Sequence, residues 1–221
     1  MVGLGFAYFA GSVGASAEVI DGSTEADLTV TLHVFDYAQV EPRDLARAKE
    51  EATRILRAAG VETAWFECVL TAEGPHDGEA CRGQLGSGEL VLRILPRAMA
   101  ERVPFAGDTF GFAQQSTDGQ PAYVASVFYH RVETLADELG FSRGVILGHA
   151  LAHEIGHLLL GPGRHAPSGI MRASWKRKDL INASMGSLCF LPQQVEIIRA
   201  EVERRMQRQA DSKLAAAFAR P

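Results

Sequence analysis

The sequence predicts a single α/β domain built on a twisted mixed sheet, and three observations carry that prediction. Segments rich in β-branched residues recur at 28–36, 61–68 and 89–96. A helical pattern separates the first two, which is the mark of a βαβ unit and so of a parallel pair. Two more strand-like segments, 109–115 and 122–129, are divided by the turn-rich STDGQP. That spacing predicts an antiparallel hairpin, with one strand at the sheet edge opposing the others.

Taken in order, LTVTLHVFD (28–36) alternates apolar and polar residues and reads as a strand, with His33 a sheet residue inside it. Pro42 opens a helix, PRDLARAKEEATRILRAAG, whose apolar stripe is Leu45, Ala48, Ala52, Ile55 and Leu56 and which stops at Gly60. VETAWFEC (61–68) is the second strand, and the Gly-rich polar segment 69–88 a long loop. ELVLRILP (89–96) is the third strand; an irregular stretch and the hairpin follow. RVETLADELG (131–140) reads as a short helix. FSRGVILGHALAHEIGHLLLG is a longer one, with Ser142 as N-cap and Gly161-Pro162 as stop. Loops then lead to a C-terminal helix from about Pro192, with Val195, Ile198 and Val202 facing inward and the last dozen residues frayed. The domain is expected over 27–210.

Composition narrows the function. A net charge of −5 supplies no positive field for nucleic acid or a membrane surface, and no phosphate-binding glycine loop is present. Residues 2–17 carry no charge, the first Lys or Arg is Arg43, and the run closes on Ala15-Ser16-Ala17. This resembles a signal peptide over 1–17, apart from a missing basic start, and predicts a secreted or periplasmic protein. The run is too short and too rich in Gly and Ser for a stable membrane span. Cys68 and Cys81 flank a polar loop and suit a disulfide in an exported protein, leaving Cys189 over; three free thiols are the alternative. A monomer is expected.

The chemistry concentrates in HALAHEIGHLLLGPGRHAPSGIM, 149–171. His153 and His157 stand four apart, one helical turn on one face, the spacing two imidazoles need to share a Zn²⁺ ion. Glu154 is turned about 100° from His153, off the ligand line but able to flank a metal and hold a water. Leu151, Ile155 and Leu158 form an apolar stripe on the far side, so one face is expected to be buried and the other to present the histidines. His165 follows a Gly-Pro-Gly break that ends the helix and can return the chain over the metal. His149 shares the face but lies too far along it to converge, and reads as a rim or supporting residue. The bland alternative is a buried helix that happens to carry histidines.

HExxH on a helix followed by a third histidine and Gly169-Ile170-Met171 resembles the metzincin superfamily of zinc endopeptidases, in its matrixin or archaemetzincin branches. The family pattern is HExxHxxGxxH with a methionine turn below the metal. Here the glycine falls one place late, at Gly161, and His165 follows His157 by eight residues rather than six. The resemblance implies His153, His157 and His165 as zinc ligands, Glu154 as general base, Met171 as the turn, and a backing helix behind the active-site helix. It also implies a peptide or protein substrate, and the expected edge strand, with Phe110, Gly111, Phe112 and Ala113, is the candidate for pairing with it by β-augmentation, the alternative being an edge simply protected by its neighbouring loop. Two rivals remain open at this point. One is a metal-binding or protein-binding module without turnover; the other is a zincin whose third ligand is an acid such as Asp179 or Glu196. The basic run Trp175-Lys176-Arg177-Lys178 reads as solvated surface or as a wall of the cleft.

Overall fold

The computed structural model describes residues 27–71, 74–75, 81, 85–103, 109–114, 122–161 and 163–218. The proposed signal peptide therefore lies outside the described residues. The chain is a mixed α/β structure with strands β1 (Thr29–Asp36), β2 (Glu62–Glu67), β3 (Leu70–Thr71), β4 (Gly74–Pro75), β5 (Glu89–Leu95), β6 (Gly111–Ala113) and β7 (Val124–Phe128). Its helices are α1 (Pro42–Ala58), α2 (Arg97–Ala100), α3 (Tyr129–Leu139), α4 (Arg143–Leu160), α5 (Arg177–Ser184) and α6 (Pro192–Phe218).

The main sheet has the order β2-β1-β5-β7-β6. β1 pairs parallel to β2 and β5, and β5 parallel to β7. β6 alone runs antiparallel, at the edge, in register Gly111↔Val127. This is the expected arrangement, including the helix α1 that joins the parallel pair. Period-two alternation sorts the side chains: Val30, Leu32 and Val34 enter the same core as Leu90, Leu92, Ile94, Ala125 and Val127. His33, on the other face, is buried and stacks on Phe66 at 5.6 Å.

α1 buries Leu45, Ala48, Ala52, Ile55 and Leu56, the stripe read from its spacing, and packs against α4. The approach is close: a Cβ on Gly148 would stand 2.7 Å from the Ala48 carbonyl oxygen. Full burial of such a stripe contributes roughly 1.5–3 kcal/mol per large side chain.

Several expectations need correction. α4 is buried nearly all round, not on one face, because α6 and α5 also pack on it. The 69–88 segment carries the short β3–β4 pair and a Cys68–Cys81 disulfide. α2 and α5 went unread, both being too short to show a periodic stripe. The basic run is the entry to α5, where the Asp179 carboxylate accepts the Lys176 N–H at 2.8 Å. α6 continues to Phe218 without the expected fraying; its last turns are rich in Ala, a strong helix former.

Candidate metal centre

α4 assembles the site. Ser142 Oγ accepts from the Val145 N–H at 3.4 Å and starts the helix where expected. Gly161 ends it at φ 88°, a conformation that favours glycine. The helix thus runs through Leu160, and the chain leaves toward His165.

His157 Nε2 lies 3.1 Å from His153 Nε2 and 3.1 Å from His165 Nε2. Ligands about 2.0–2.1 Å from a tetrahedral zinc stand about 3.3 Å apart, so the three nitrogens suit one ion. Their protonation agrees. The Ile170 carbonyl can only accept, so His153 donates its Nδ1–H to it, at 2.7 Å, and its neutral ring turns a lone pair on Nε2 toward the other rings. A single proton shared at His157 Nε2 cannot serve both neighbours, whereas a cation serves all three. Burial, opposed in part by the Ile170 bond, brings the His153 imidazole down to about 4. Burial and the two neighbouring rings bring His157 down to about 3. Both rings are therefore neutral at pH 7, as metal ligation requires.

Three contacts hold the rings. Ile170 O also accepts from Trp175 Nε1 at 3.0 Å, and Trp175 stands edge-on to His153 at 5.9 Å. The Ala166 N–H donates to Met171 O at 2.8 Å, tying the residue after His165 to the turn at Ile170–Met171. Met171 is fully buried against α4, where a Cβ on Gly156 would stand 2.5 Å from its Sδ. Gly156 therefore makes room for the turn.

Glu154 is 3 % exposed, and its Oε2 has no hydrogen-bond partner. Burial alone pushes its carboxyl up to about 8; a dication alongside would pull it back toward ionisation. β6 passes over it so closely that a Cβ on Gly111 would stand 2.9 Å from Glu154 Oε1 and collide with the Ser126 carbonyl oxygen. The site opens into a cleft of about 800 Å³ whose lining includes Phe110, Gly111, Phe112 and Ala113.

His149 is not at the rim: it is fully buried, donates Nδ1–H to Val145 O at 2.8 Å, and does not join the three. Asp179 caps α5 and meets Arg172 at 3.5 Å, and neither it nor Glu196 lines the cleft. The acidic alternatives for a third ligand thus stand away from the cleft, whereas His165 lies beside His157. Among the described residues one other donor group comes together, His33 with Cys68 and Cys81, and its two thiols are joined to each other. Sequence reasoning missed Trp175 and its ring neighbour Phe110, 5.2 Å away, as supports of His153. Phe110 was read on a strand, but Trp175 lies in a loop, and no local pattern pairs residues so far apart in sequence.

No family model matches the chain, and no curated protein matches it. Among solved structures it is similar to archaemetzincin from Methanopyrus kandleri, at 19 % identity over 82 % of this chain and 99 % of that one, TM-score 0.49. It is also similar to a zinc-dependent peptidase from Methanocorpusculum labreanum (strain Z), at 20 % identity over 76 % of this chain and 99 % of that one, TM-score 0.45. At such identities and scores neither likeness carries a functional reading, which rests on the geometry above.

Proposed function

We propose that this chain is a zinc-dependent endopeptidase of the metzincin type. His153, His157 and His165 hold the ion, Glu154 is the general base, and Met171 forms the turn below. The observation that carries this is the convergence of three imidazoles, with His157 Nε2 at 3.1 Å from the Nε2 of both His153 and His165, beside a buried glutamate whose Oε2 has no hydrogen-bond partner.

Zinc at this position supplies a Lewis acid for the scissile carbonyl and lowers the pKa of water. The residues of the chain do the rest. Glu154 takes a proton from the attacking water, keeps it on a carboxylate oxygen shielded from solvent, and delivers it to the leaving amine. Low exposure of the carboxyl suits both halves of that task, since proton affinity rises once the opposing charge is reduced. No covalent acyl-enzyme is needed.

β6 suits the substrate backbone. The Phe128 N–H donates to Phe110 O, and the Gln114 N–H to Val124 O. In an antiparallel pair bonding alternates, so Gly111 and Ala113 direct their N–H and C=O away from β7, toward the open edge. An extended peptide adds there as a further strand. Export belongs to the same proposal: residues 1–17 as signal peptide, 27–210 as a single catalytic domain, monomeric and secreted or periplasmic. The Cys68–Cys81 disulfide favours an oxidising compartment.

Bound zinc and cleavage of a broad peptide library, measured together in three proteins, test the proposal. Wild type should hold zinc near one equivalent and cleave. His165→Ala should lose most of the metal, and Glu154→Gln should keep it without cleaving. Zinc held by wild type with no cleavage anywhere favours a binding module; unchanged affinity in His165→Ala overturns the ligand set.

A further inference from the structure

We propose that the α6 side of the cleft is a carboxylate subsite, built by Arg204 and Arg208 around Glu201, that selects acidic peptides. This rests on the peptide-cleft reading above and names its substrate class. The described lining of the cleft carries five arginines, no lysine, and only two carboxylates, Glu154 and Glu201. The chain as a whole is acidic, at −5, so the positive wall is local.

Residues 201, 204, 205 and 208 share one face of α6 by helical spacing. Glu201 is nearly buried and faces three guanidiniums: Arg204 Nη1 at 2.5 Å, Arg205 Nε at 2.8 Å and Arg208 Nη2 at 3.5 Å. One carboxylate cannot balance three cations, so two positive charges remain in excess. Arg205 is 1 % exposed and serves the fold: its Nη2 donates to Leu158 O at 2.9 Å and Ala122 O at 3.2 Å, while its Nη1 lacks a partner. Leu158 directly follows His157, and Ala122 precedes β7, so Arg205 fixes this wall against both flanks of the cleft.

Arg204 and Arg208 differ from it. Their side chains are 60 % and 42 % exposed, each held at one nitrogen by Glu201. A guanidinium offers five N–H donors in a fork that matches a carboxylate, so each retains capacity for a second acid. The complementary ligand is a peptide carboxylate, from an acidic side chain or from the chain terminus.

Zinc-loaded, full-length Glu154→Gln protein, titrated with fluorescent peptides, tests this independently of turnover. The peptides are an alanine-rich amide, the same amide with one internal Glu, and the alanine-rich peptide with a free C-terminus. At least one carboxylate peptide should bind about tenfold more tightly than the neutral amide, the size of one charge-assisted contact, and which one identifies the source. In the Arg204→Gln/Arg208→Gln double variant the difference should collapse to within about twofold, the scale of a screened surface pair. Equal binding of all three, no binding of any, or a preference that survives the double substitution overturns the subsite. Failure of the endopeptidase proposal reads out elsewhere, as absent cleavage by wild type.

Discussion

Replacing Gly156 by alanine sets two effects of comparable size against each other. In a helix interior alanine is about 1 kcal/mol better than glycine, so local propensity alone predicts a more stable protein. The tertiary structure predicts the reverse. The new Cβ would stand 2.5 Å from Met171 Sδ and 2.8 Å from Phe190 Cε1, against an ordinary contact of about 3.5–4.0 Å. Overlaps of about 1 Å in a filled core cost roughly 1–3 kcal/mol. Met171 is fully buried and its carbonyl is held by the Ala166 N–H, so it cannot swing into solvent to relieve the clash. Net destabilisation of about 1 kcal/mol is expected, the difference of the two ranges. Displacement of the turn also moves Ile170 O, which orients the His153 ring. Zinc affinity should therefore fall about 10–100-fold, as for lost supports of other ligands. Urea unfolding of the metal-free protein gives the first number, and competition with a chromophoric chelator gives the second. A Gly156→Ala protein about 1 kcal/mol more stable, with wild-type zinc affinity, would refute the packing account of the turn at Met171.

Gly111→Ala places a methyl against the Ser126 carbonyl and Glu154 Oε1, so peptide cleavage should drop at least tenfold while zinc content stays near wild type; parallel metal and kinetic assays check this. His149 is fully buried and its pKa is lowered by desolvation from 6.5. Below that pH the unfolded ring takes up a proton that the folded one refuses, so stability falls as pH falls. His149→Leu should flatten that slope in metal-free unfolding measured from pH 7 downward; parallel pH profiles of the two proteins would count against it. Cys68→Ser/Cys81→Ser opens a bridge of sequence separation 13 and should cost about 3 kcal/mol. Reductant should then lower the wild-type melting temperature and leave the variant unmoved.

The stretch 149–171 shows how far the sequence could be read. Spacing alone put His153 and His157 on one side of α4, since helical geometry is fixed by the backbone. Whether His165 reached them was not open to that reasoning, because a glycine-containing loop has many conformations of similar energy. The fold selects one through the Ala166–Met171 hydrogen bond and the space above Gly156. The same limit explains the misreading of α4 as half-exposed: its apolar stripe was visible, but the packing of α5 and α6 on its other sides came from residues distant in sequence.

By itself, then, the sequence determined the order of the main strands and helices, the inward faces of β1 and α1, the edge position of β6 and two histidines on one helical turn. Each of these follows from a local period or a turn residue. Only the tertiary structure decided the approach of His165 to that pair, the placement of Trp175 and Met171 beside it, the closeness of Gly111 to Glu154, and the arginine wall of α6. Those depend on contacts between segments tens of residues apart, which no local pattern encodes.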